Sequence, residues 1–519
     1  MSNPIIIGSR GSQLAIWQAE YAQAELKKLG YHSEIRIIHT KGDKNLQLSF
    51  DKIEGKGFFT KELEEALLAG EIDLVIHSHK DLATEEVPGL MIGAVSYRDD
   101  PADWLIIAPQ NYDSTQLWGL RAGAKVGTSS PRRVSQMSYF RHDLCFEPIR
   151  GNVTSRLAKV GALCDAVILA AAGLCRLNID LSGYHLTAFE PWQMIPAPAQ
   201  GALAYQIRKE DMQMRDVLSS LHHPDVAIAI GIERDTLSGL GAGCQQPVGV
   251  FAQKQKDQWE VWCSWALAID MPVTRFFIKS QDPYSISSRL IALIRSEKKY
   301  NVFITREIDA RTEKSFAGSS LQLMGRSLLH FEAINSPGPI SCDWIFFTSR
   351  RAVAFFAQSM QGQKWEGRLA VFGSGTAEAV AEYLPGHKID FVGAGADHLG
   401  VADEFVKKAG AAVSVMMPVG IHHISSIADL LMSSGLRVEQ RVVYENKKFP
   451  GIHRPEAEIY IFTSPLNVEA FLDHWSLEGA KKIIAIGPST AAALLNKGIS
   501  AVISKGPEPW HLAECCYVE

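Results

Sequence analysis

Arginine residues placed beside glycine or serine at the starts of predicted helices are the first feature of this chain that could do chemistry. They occur in the stretches IGSRGS, VGTSSPRRVSQ and IRGNVTSRLAK. Arginine can hold a carboxylate or a phosphate through two hydrogen bonds, so the pattern favours a small ligand that carries several such groups. A solvent-exposed face or an ordinary ion pair is the alternative for any one of them. The residues are Arg10, Arg132, Arg133, Arg150 and Arg156.

A second polar cluster follows a predicted strand in the stretch IDLVIHSHKDLATEEVPG. His77, His79, Lys80 and Asp81 fall at the carboxyl end of that strand, which is the edge where open α/β sheets hold their ligands. Two histidines could bind a metal, but no third ligand is evident and we expect none. Asp81 near the arginines would stay ionised and could stabilise a cation or handle its proton. An exposed aspartate in a turn is the alternative.

The stretch GAGCQQPVG places one cysteine, Cys244, in a glycine-rich loop. Such a loop exposes a side chain, although a lone cysteine at a turn is more often a small buried apolar residue. The chain has 8 cysteines and no C-x-x-C pair, which indicates neither a zinc site nor a disulfide framework. Any function of Cys244 would therefore rest on a thiol or a thioether.

The elements that must position these residues alternate along the chain. Short apolar runs such as IIIGS and DLVIHS are followed by amphipathic helical patterns. This order predicts an α/β fold with largely parallel sheets, and 519 residues require several domains. The polar stretch RSEKKYN predicts a boundary near residue 298.

The part of the chain after this boundary contains an internal repeat. WIFFTSRRAVAFF is echoed by IYIFTSPLNVEAFL, and LAVFGSGTAEAV is echoed by IIAIGPSTAAAL. Each copy places serine or threonine at the start of a helix, directly after a strand. Plain N-capping, at about 1 kcal/mol per cap, explains this without a ligand. Four such helix starts in two related lobes favour an anionic ligand in a cleft.

Overall charge and hydropathy exclude two classes of partner. The net charge of −5 argues against affinity for nucleic acid or a membrane surface, and no apolar run approaches the ~20 residues of a membrane span. The start, MSNPIIIGSRGS, lacks the basic and apolar segments of a secretion signal. We therefore expect a cytoplasmic protein.

Nine motifs in the first half resemble one known family. In chain order they are GSRGSQLAIWQA, TKGD, GKGFFTKELE, HSHKD, GTSSPRR, RGNVTSRL, ILAAAGLCRL, PAPAQGALA and GAGCQQPVG. Together they resemble porphobilinogen deaminase, also called hydroxymethylbilane synthase. The duplicated segment after residue 298, with its F-T-S and G-x-x-T-A elements, is similar to uroporphyrinogen-III synthase. Because the two families catalyse consecutive steps, the resemblance predicts a bifunctional enzyme of tetrapyrrole and heme biosynthesis.

The resemblance implies a transferase that joins four porphobilinogen molecules into hydroxymethylbilane with release of ammonia. Its cofactor would be a dipyrromethane held by Cys244 through a thioether, from which the linear tetrapyrrole intermediates grow. Asp81 would be catalytic with Lys80, stabilising the azafulvene cation that forms as ammonia leaves. The cofactor would also be bound by Lys80, Asp81, Ser129, Arg132, Arg133, Arg150 and Gly173, and the substrate by Arg10, Ser12, Lys56, Phe59, Arg156 and Arg176.

For the second part, the resemblance implies a lyase that removes water from hydroxymethylbilane, inverts ring D and closes the macrocycle to uroporphyrinogen III. Neither a metal nor a cofactor would take part. Tyr444 in RVVYENK matches a tyrosine proposed as the proton donor. Substrate-binding residues in the cleft would be Thr348, Ser349, Thr376, Ser464, Ser489 and Thr490.

The family folds imply three domains in the deaminase part. Two lobes resembling those of periplasmic binding proteins would span 1–95 with 196–215 and 96–195, and a small α+β domain at 216–298 would carry the cofactor. Two α/β lobes of the synthase would span 299–334 with 450–519 and 335–449. The chain departs from the family at His79, usually methionine, and at Pro131, usually leucine.

Two other functions remain compatible with the sequence. One is a deaminase whose C-terminal part is only a docking module, and the other is a non-enzymatic protein that binds anions between two lobes. The sequence leaves the oligomeric state open.

Overall fold

The computed structural model of the chain describes residues 4–39, 60–114, 116–242, 246–296, 298–317, 320–334, 340–360, 365–393, 398–421, 426–448 and 453–517. Its strands form five sheets, each combined with helices. This is the multidomain α/β architecture that the sequence predicts. In the ranges given, no helix is long and apolar enough to cross a membrane.

Domain 1 begins with a strand that runs directly into a helix. Its elements are β1 (Ile5–Ser9), α1 (Gln13–Lys28), β2 (Ser33–Ile37), α2 (Lys61–Leu68), β3 (Leu74–Ser78), β4 (Leu90–Val95), β10 (Leu203–Arg208) and α6 (Met212–Ser219). Ser12 caps α1 by accepting a hydrogen bond from the Ala15 N–H, and Ala19, Ala22 and Leu26 are buried on one face of the helix. The sheet order is β2-β1-β3-β10-β4, with β10 antiparallel to both neighbours.

Domain 2 is inserted between β4 and β10, so the chain passes between the two domains twice. Its elements are β5 (Asp103–Ile107), β6 (Lys125–Gly127), α3 (Pro131–Phe140), β7 (Cys145–Glu147), α4 (Val153–Leu157), β8 (Ala166–Ala170), α5 (Ala171–Arg176) and β9 (His185–Ala188). The order is β7-β6-β8-β5-β9, with β5 antiparallel to β8 and β9. Pro131 is the first residue of α3, a position that proline's fixed φ suits.

Domain 3 is a three-stranded antiparallel sheet with two helices. The strands follow one another in the order β11-β12-β13. Its elements are α7 (Pro224–Gly239), β11 (Val248–Gln255), β12 (Gln258–Trp265), β13 (Thr274–Ser280) and α8 (Ile286–Arg295).

Domain 4 has a fully parallel sheet. Its elements are β14 (Tyr300–Ile304), α9 (Ala310–Phe316), β15 (Leu321–Gly325), β22 (Ile459–Phe462), α14 (Pro465–Leu472), β23 (Lys482–Ala485), α15 (Pro488–Leu495), β24 (Val502–Ile503) and α16 (Pro509–Tyr517). The strand order is β15-β14-β22-β23-β24. Parallel strands joined by helices are the arrangement that the repeated strand–helix pattern predicts.

Domain 5 is inserted into domain 4. Its elements are β16 (Leu329–Ala333), β17 (Ser341–Phe347), α10 (Arg350–Ser359), β18 (Glu366–Val371), α11 (Ser374–Tyr383), β19 (Ile389–Val392), α12 (His398–Ala409), β20 (Ser414–Gly420), α13 (Ser426–Ser433) and β21 (Arg437–Lys448). The order is β16-β21-β20-β17-β18-β19, and only the β16–β21 pair is antiparallel within this sheet.

One strand lies outside the lobe that the sequence assigned to it. We placed residues 299–334 in one lobe, yet β16 pairs with β21 in the other, with Leu329 opposite Lys448 and Ala333 opposite Tyr444. The reason is the length of β21, whose second half offers an open edge to the passing chain. Leu329 of the same strand nevertheless packs in the core of domain 4 with Phe303 and Tyr460, so the lobe boundary on this side stays a prediction.

Domains 3 and 4 share one hydrophobic core. Buried side chains of domain 3, such as Val261 and Ile278, belong to the same cluster as Val302, Ile461 and Leu512 of domain 4. The part before residue 298 and the part after it are therefore packed directly on each other.

Candidate functional site

Asp81 and Lys80 lie at the carboxyl end of β3, as the sequence predicts. The strand ends at Ser78, and a short 3-10 turn over His79–Asp81 follows. Asp81 is exposed, while Lys80 is half-buried and donates a hydrogen bond from Nζ to Gln200 Oε1 at 3.2 Å. Burial lowers the pKa of Lys80 to about 8, and the negative charge of Asp81 opposes that shift. The turn thus presents a free carboxylate beside an ammonium that titrates close to neutrality.

The two histidines of this stretch are both buried, His77 on β3 and His79 in the turn itself. His77 Nε2 lies 2.9 Å from Gln206 Oε1, and burial lowers the pKa of His77 to about 4 and that of His79 to about 3. Both imidazoles are therefore neutral near pH 7. Within the described ranges, no group of three or more histidine, cysteine or acidic side chains is arranged to hold a metal.

Arg132 and Arg133 share one buried counter-ion, Asp103, which sequence reasoning missed. Asp103 Oδ2 lies 2.8 Å from Arg132 Nη1, and Arg133 Nη2 donates to Asp103 Oδ1 at 2.7 Å. Burial alone would raise the pKa of Asp103, but the two guanidinium charges outweigh it and hold that pKa well below its usual range. Backbone carbonyls hold the two guanidinium groups as well, because Arg132 donates to the Ile195 carbonyl and Arg133 to the Ile168 carbonyl.

Arg156 and Arg176 of domain 2 both interact with residues outside their own domain. Arg156 donates from Nε to the Gly151 carbonyl at 2.7 Å. Burial and the charge of Arg133 lower the pKa of Arg156, while the charge of Asp81 raises it. Arg156 therefore interacts electrostatically with both groups. Arg176 is held by Asp99 of the interdomain connection, with Nη2 and Oδ2 2.7 Å apart.

The other described residues predicted for this site also belong to domains 1 and 2. Arg10 and Ser12 lie between β1 and α1, and Arg150 precedes α4. Ser129 precedes α3 and donates a hydrogen bond to the Ile149 carbonyl at 2.7 Å. Gly173 lies within α5. Three predicted residues, Lys56, Phe59 and Cys244, lie outside the described residues.

In the second part, Tyr444 lies on β21 of domain 5, next to Ser349 at the start of α10. Tyr444 is 9% exposed, and its ring stacks on Phe355, with ring centroids 5.1 Å apart. Burial raises the pKa of Tyr444, and both the charge of Arg351 and a hydrogen bond with Ser349 oppose that shift. Gly420 lies so close that a Cβ there would be 2.7 Å from the tyrosine ring.

Arg351 was not singled out from the sequence. Its side chain is exposed overall, but its guanidinium carbon lies 3.9 Å from the centroid of the Phe331 ring, and packing around this group lowers its pKa. Arg351 follows directly on the T-S-R sequence that begins α10. A difference between the two repeats could have pointed to Arg351, because the first repeat has two arginines where the second has proline and leucine.

The repeated serines act as helix caps. Ser349 accepts a hydrogen bond from the Ala352 N–H and Ser464 from the Asn467 N–H, each at 3.2 Å. Glycines, Gly373 and Gly487, occupy the cap position of the other two helices, where neither end has a side-chain cap. Backbone N–H groups at those two ends are thus left for other acceptors.

The predicted hydroxyl residues of the cleft differ in their access to a ligand. Thr348 is half-buried and Ser489 is exposed, whereas Thr376 is 7% exposed and Thr490 is 0% exposed. The prediction that Thr490 contacts the substrate disagrees with its complete burial in this conformation. The helical period explains the difference, because Thr490 lies one position after the exposed Ser489 on α15 and turns towards the sheet.

These features define a multidomain α/β protein with a carboxylate among cations in its first part and a buried tyrosine beside the start of helix α10 in its second. Residues 5–216 match the family model described as porphobilinogen deaminase, dipyromethane cofactor binding domain. Residues 329–514 match the model described as uroporphyrinogen-III synthase HemD.

Known proteins resemble both parts. The porphobilinogen deaminase of Paenibacillus macerans is 42% identical over 260 residues, which cover 49% of this chain and 78% of that protein. That of Helicobacter acinonychis is 45% identical over 250 residues, covering 48% and 80%. The solved uroporphyrinogen-III synthetase of Helicobacter pylori 26695 is 21% identical, with a TM-score of 0.31, and covers 42% of this chain and 96% of that one.

The chain belongs to the porphobilinogen deaminase family. Its second part carries a uroporphyrinogen-III synthase domain, so one chain combines a transferase and a lyase of consecutive steps in tetrapyrrole biosynthesis. The deaminase part is of the kind that binds a dipyrromethane cofactor. The prediction of a bifunctional fusion is thereby confirmed, and nothing in these comparisons favours a docking module or a non-enzymatic protein.

Proposed function

We propose that the deaminase reaction takes place around Asp81, in the gap between domains 1 and 2. The observation that carries this proposal is an exposed carboxylate at the end of β3 whose charge acts on both Lys80 and Arg156. The Asp81 carboxylate lies among cationic side chains. It can stabilise the positive charge that develops on a pyrrole as ammonia leaves, and it can accept the proton that a pyrrole carbon loses when two rings are joined.

The side chains around Asp81 fit a cofactor that carries several carboxylates. Cations outnumber carboxylates in this cluster, and Arg133 Nε is buried without a hydrogen-bond partner among the described residues. When bound to Cys244, dipyrromethane supplies the carbon to which the first porphobilinogen is joined. The residues that would hold and orient its carboxylates are Lys80, Ser129, Arg132, Arg133 and Arg150, together with Gly173 of α5. The growing substrate would be bound by Arg10, Ser12, Arg156 and Arg176.

Asp103 would keep this cluster in place before any ligand arrives. It holds one edge of each guanidinium, and backbone carbonyls take further N–H groups. Preorganised donors are not rearranged when charge develops, which is the condition under which they stabilise it most. Asp103 is thus a positioning residue that acts through Arg132 and Arg133.

For the synthase part, we propose that Tyr444 donates a proton to the departing hydroxyl of hydroxymethylbilane. Burial keeps its phenol protonated by raising the pKa. Arg351 next to it can bind a carboxylate of the tetrapyrrole, which would orient the chain over Tyr444. Ser349 then has two roles, as the cap of α10 and as the hydrogen-bond partner of the phenol.

We also propose that the ligands are porphobilinogen and linear tetrapyrroles, with neither nucleic acid nor a membrane as partner, and that the enzyme works in the cytoplasm. The net charge of −5 supports the first statement. Free thiols at all seven described cysteines support the second. Fractionation of cells followed by activity assay would test the location.

The test of the deaminase site compares Asp81→Asn and Asp81→Glu with the parent enzyme. Asp257→Asn, in the exposed turn between β11 and β12, is the matched control. We expect Asp81→Asn to lower kcat by about 100-fold, Asp81→Glu to retain part of it, and the control to match the parent. Unchanged turnover in Asp81→Asn would overturn the assignment.

Intact mass tests the cofactor independently of rate. The parent protein should carry the added mass of two pyrrole units, and Cys244→Ser should not. A bare parent polypeptide that still binds pyrrole carboxylates would instead support a non-enzymatic anion-binding protein.

A further inference from the structure

The last helix of the chain, α16, is buried on every side. All nine residues from Pro509 to Tyr517 are buried, including His511 and Glu514. A helix at the surface of a lobe keeps a polar face in water. Complete burial therefore means that α16 has neighbours both in its own domain and outside it.

The neighbours outside its own domain belong to the deaminase part. Trp510 lies within the core of domain 2, where its ring meets Phe140 edge-on with centroids 5.0 Å apart. Tyr517 meets Phe276 of domain 3 at 4.7 Å. The helix thus touches domain 2 near its beginning and domain 3 at its end.

A buried ion pair fixes the middle of the helix. Arg275 of β13 donates from Nε to Glu514 Oε1 at 2.7 Å, with side chains 2% and 8% exposed. The same guanidinium lies over the rings of Phe140 and Tyr139, at 5.1 and 5.7 Å. Breaking such a pair by removing one charge leaves the other buried without compensation, which is strongly destabilising for the contact.

Domain 4 holds the other side of α16. Lys482 of β23 donates to the Cys516 carbonyl at 3.2 Å, and Leu512 belongs to the core shared by domains 3 and 4. A second contact runs in parallel, since the Tyr139 hydroxyl donates to the Ser315 carbonyl of α9 at 3.3 Å. The synthase part therefore contacts the deaminase part at two neighbouring side chains, Phe140 through Trp510 and Tyr139 through Ser315.

Those two side chains end the helix whose start carries the arginine pair. α3 runs from Pro131 to Phe140, so Arg132 and Arg133 occupy its first turn, and Tyr139 and Phe140 its last. An α-helix of ten residues is a rigid element about 15 Å long. Displacement of its last turn therefore moves its first turn as well.

We propose that α16, the C-terminal helix of the synthase part, is a positioning element of the deaminase: packed against Tyr139, Phe140 and Arg275, it fixes α3 and thereby the carboxylate-binding arginines. The deaminase part of this chain would then not be autonomous. The arginines hold the cofactor to which porphobilinogen is joined, so productive binding of porphobilinogen would depend on residues of the following enzyme. This inference rests on the proposed binding role of Arg132 and Arg133.

The test measures deaminase kinetics in the full-length enzyme, as total uroporphyrin formed from porphobilinogen after oxidation. The variants are Glu514→Gln and Trp510→Leu, with Glu514→Asp as the conservative replacement. Glu469→Gln, on the exposed face of α14 in the same domain, is the matched control. All are assayed at a temperature where circular dichroism shows them folded.

We expect Glu514→Gln and Trp510→Leu to raise KM for porphobilinogen about fivefold or more, Glu514→Asp to restore part of the loss, and the control to match the parent. A merely structural helix would lower the melting temperature and leave KM unchanged. KM and kcat within about twofold of the parent in Glu514→Gln would overturn the proposal, whether or not Trp510→Leu folds.

A parallel Arg132→Gln variant separates the two proposals. If it leaves KM unchanged, the binding role of the arginine is wrong. If it raises KM while the α16 variants do not, the arginines hold the cofactor to which the substrate is joined, but α16 does not position them.

Discussion

Asp103 and Arg132 form a buried ion pair, with Oδ2 and Nη1 2.8 Å apart and side chains 0% and 6% exposed. Arg133 holds the other carboxylate oxygen at 2.7 Å. The pair joins the first strand of domain 2 to the helix that carries the arginines, so one carboxylate sets the position of two proposed ligand-binding groups.

The first prediction concerns the stability of this arrangement. Asp103→Asn leaves two buried guanidinium groups without a counter-ion, which should lower the free energy of unfolding by about 3 kcal/mol or more. Urea unfolding checks this. Asp225→Asn, which breaks the exposed pair with Lys254, should cost at most about 1 kcal/mol. Equal effects of the two substitutions would contradict a special role for Asp103.

The second prediction is an alkaline limit on substrate binding. The pKa of Lys80 is lowered to about 8 by burial, so its ammonium is lost as pH rises through 8, and KM for porphobilinogen should increase there. Lys80→Arg keeps its charge at these pH values and should remove the increase. A KM in the parent that stays constant up to pH 9.5 would show that the Lys80 ammonium is not needed to hold the cofactor to which the substrate is joined.

The stability contribution of Lys80 runs in the opposite direction. Between its folded pKa of about 8 and its ordinary value of 10.5, the unfolded chain binds the proton and the folded chain does not. Stability therefore rises with pH across this window while binding weakens. The two trends together distinguish loss of the ammonium from alkaline unfolding.

The third prediction concerns acid stability and the departure at His79. Burial lowers its pKa to about 3, so the unfolded chain alone takes up this proton as pH falls from about 6.5. Stability should drop by about 1.4 kcal/mol per pH unit for this group across that window. His79→Met removes the contribution and should move acid unfolding to lower pH, whereas the same change at exposed His330 should not. Identical acid midpoints for His79→Met and the parent would refute it.

The fourth prediction separates the two halves of the enzyme. Tyr444→Phe removes the proposed proton donor and should lower the fraction of isomer III in the product, while porphobilinogen consumption stays at the parent rate. High-performance chromatography of the oxidised uroporphyrins measures both. An unchanged isomer ratio would remove Tyr444 from the catalytic step.

The fifth prediction separates a cap from a substrate-binding residue. Ser464→Ala loses the hydrogen bond to the Asn467 N–H and should cost about 1 kcal/mol of stability. With a capping role alone, the isomer ratio at a permissive temperature stays that of the parent. A fall in isomer III without a loss of stability would instead place Ser464 in substrate binding.

Sequence reasoning worked where a local rule decides the outcome. Asp81 and Lys80 are found at the end of β3 because polar residues that follow a buried strand emerge at its carboxyl edge. Ser349 and Ser464 cap helices because both stand directly before helical patterns. The α/β class followed from alternation of the same two patterns.

Sequence reasoning failed where contacts between residues far apart in the chain determine the structure. Asp103 stands in DDPADW without any pattern that marks it, and only the fold brings it to α3. The helix α16 contains histidine, glutamate and two cysteines, a composition that does not indicate complete burial. The helix is buried because domains 2 and 3 pack against it, and the identities of its own residues do not predict those contacts.

The measurement that tests the central claim most directly is incubation of the purified full-length protein with porphobilinogen alone. The product is then oxidised and its uroporphyrin isomers are separated. Two working activities in one chain predict mostly isomer III. Isomer I alone would mean that hydroxymethylbilane is released and closes unaided, and would contradict a functional synthase in the second part.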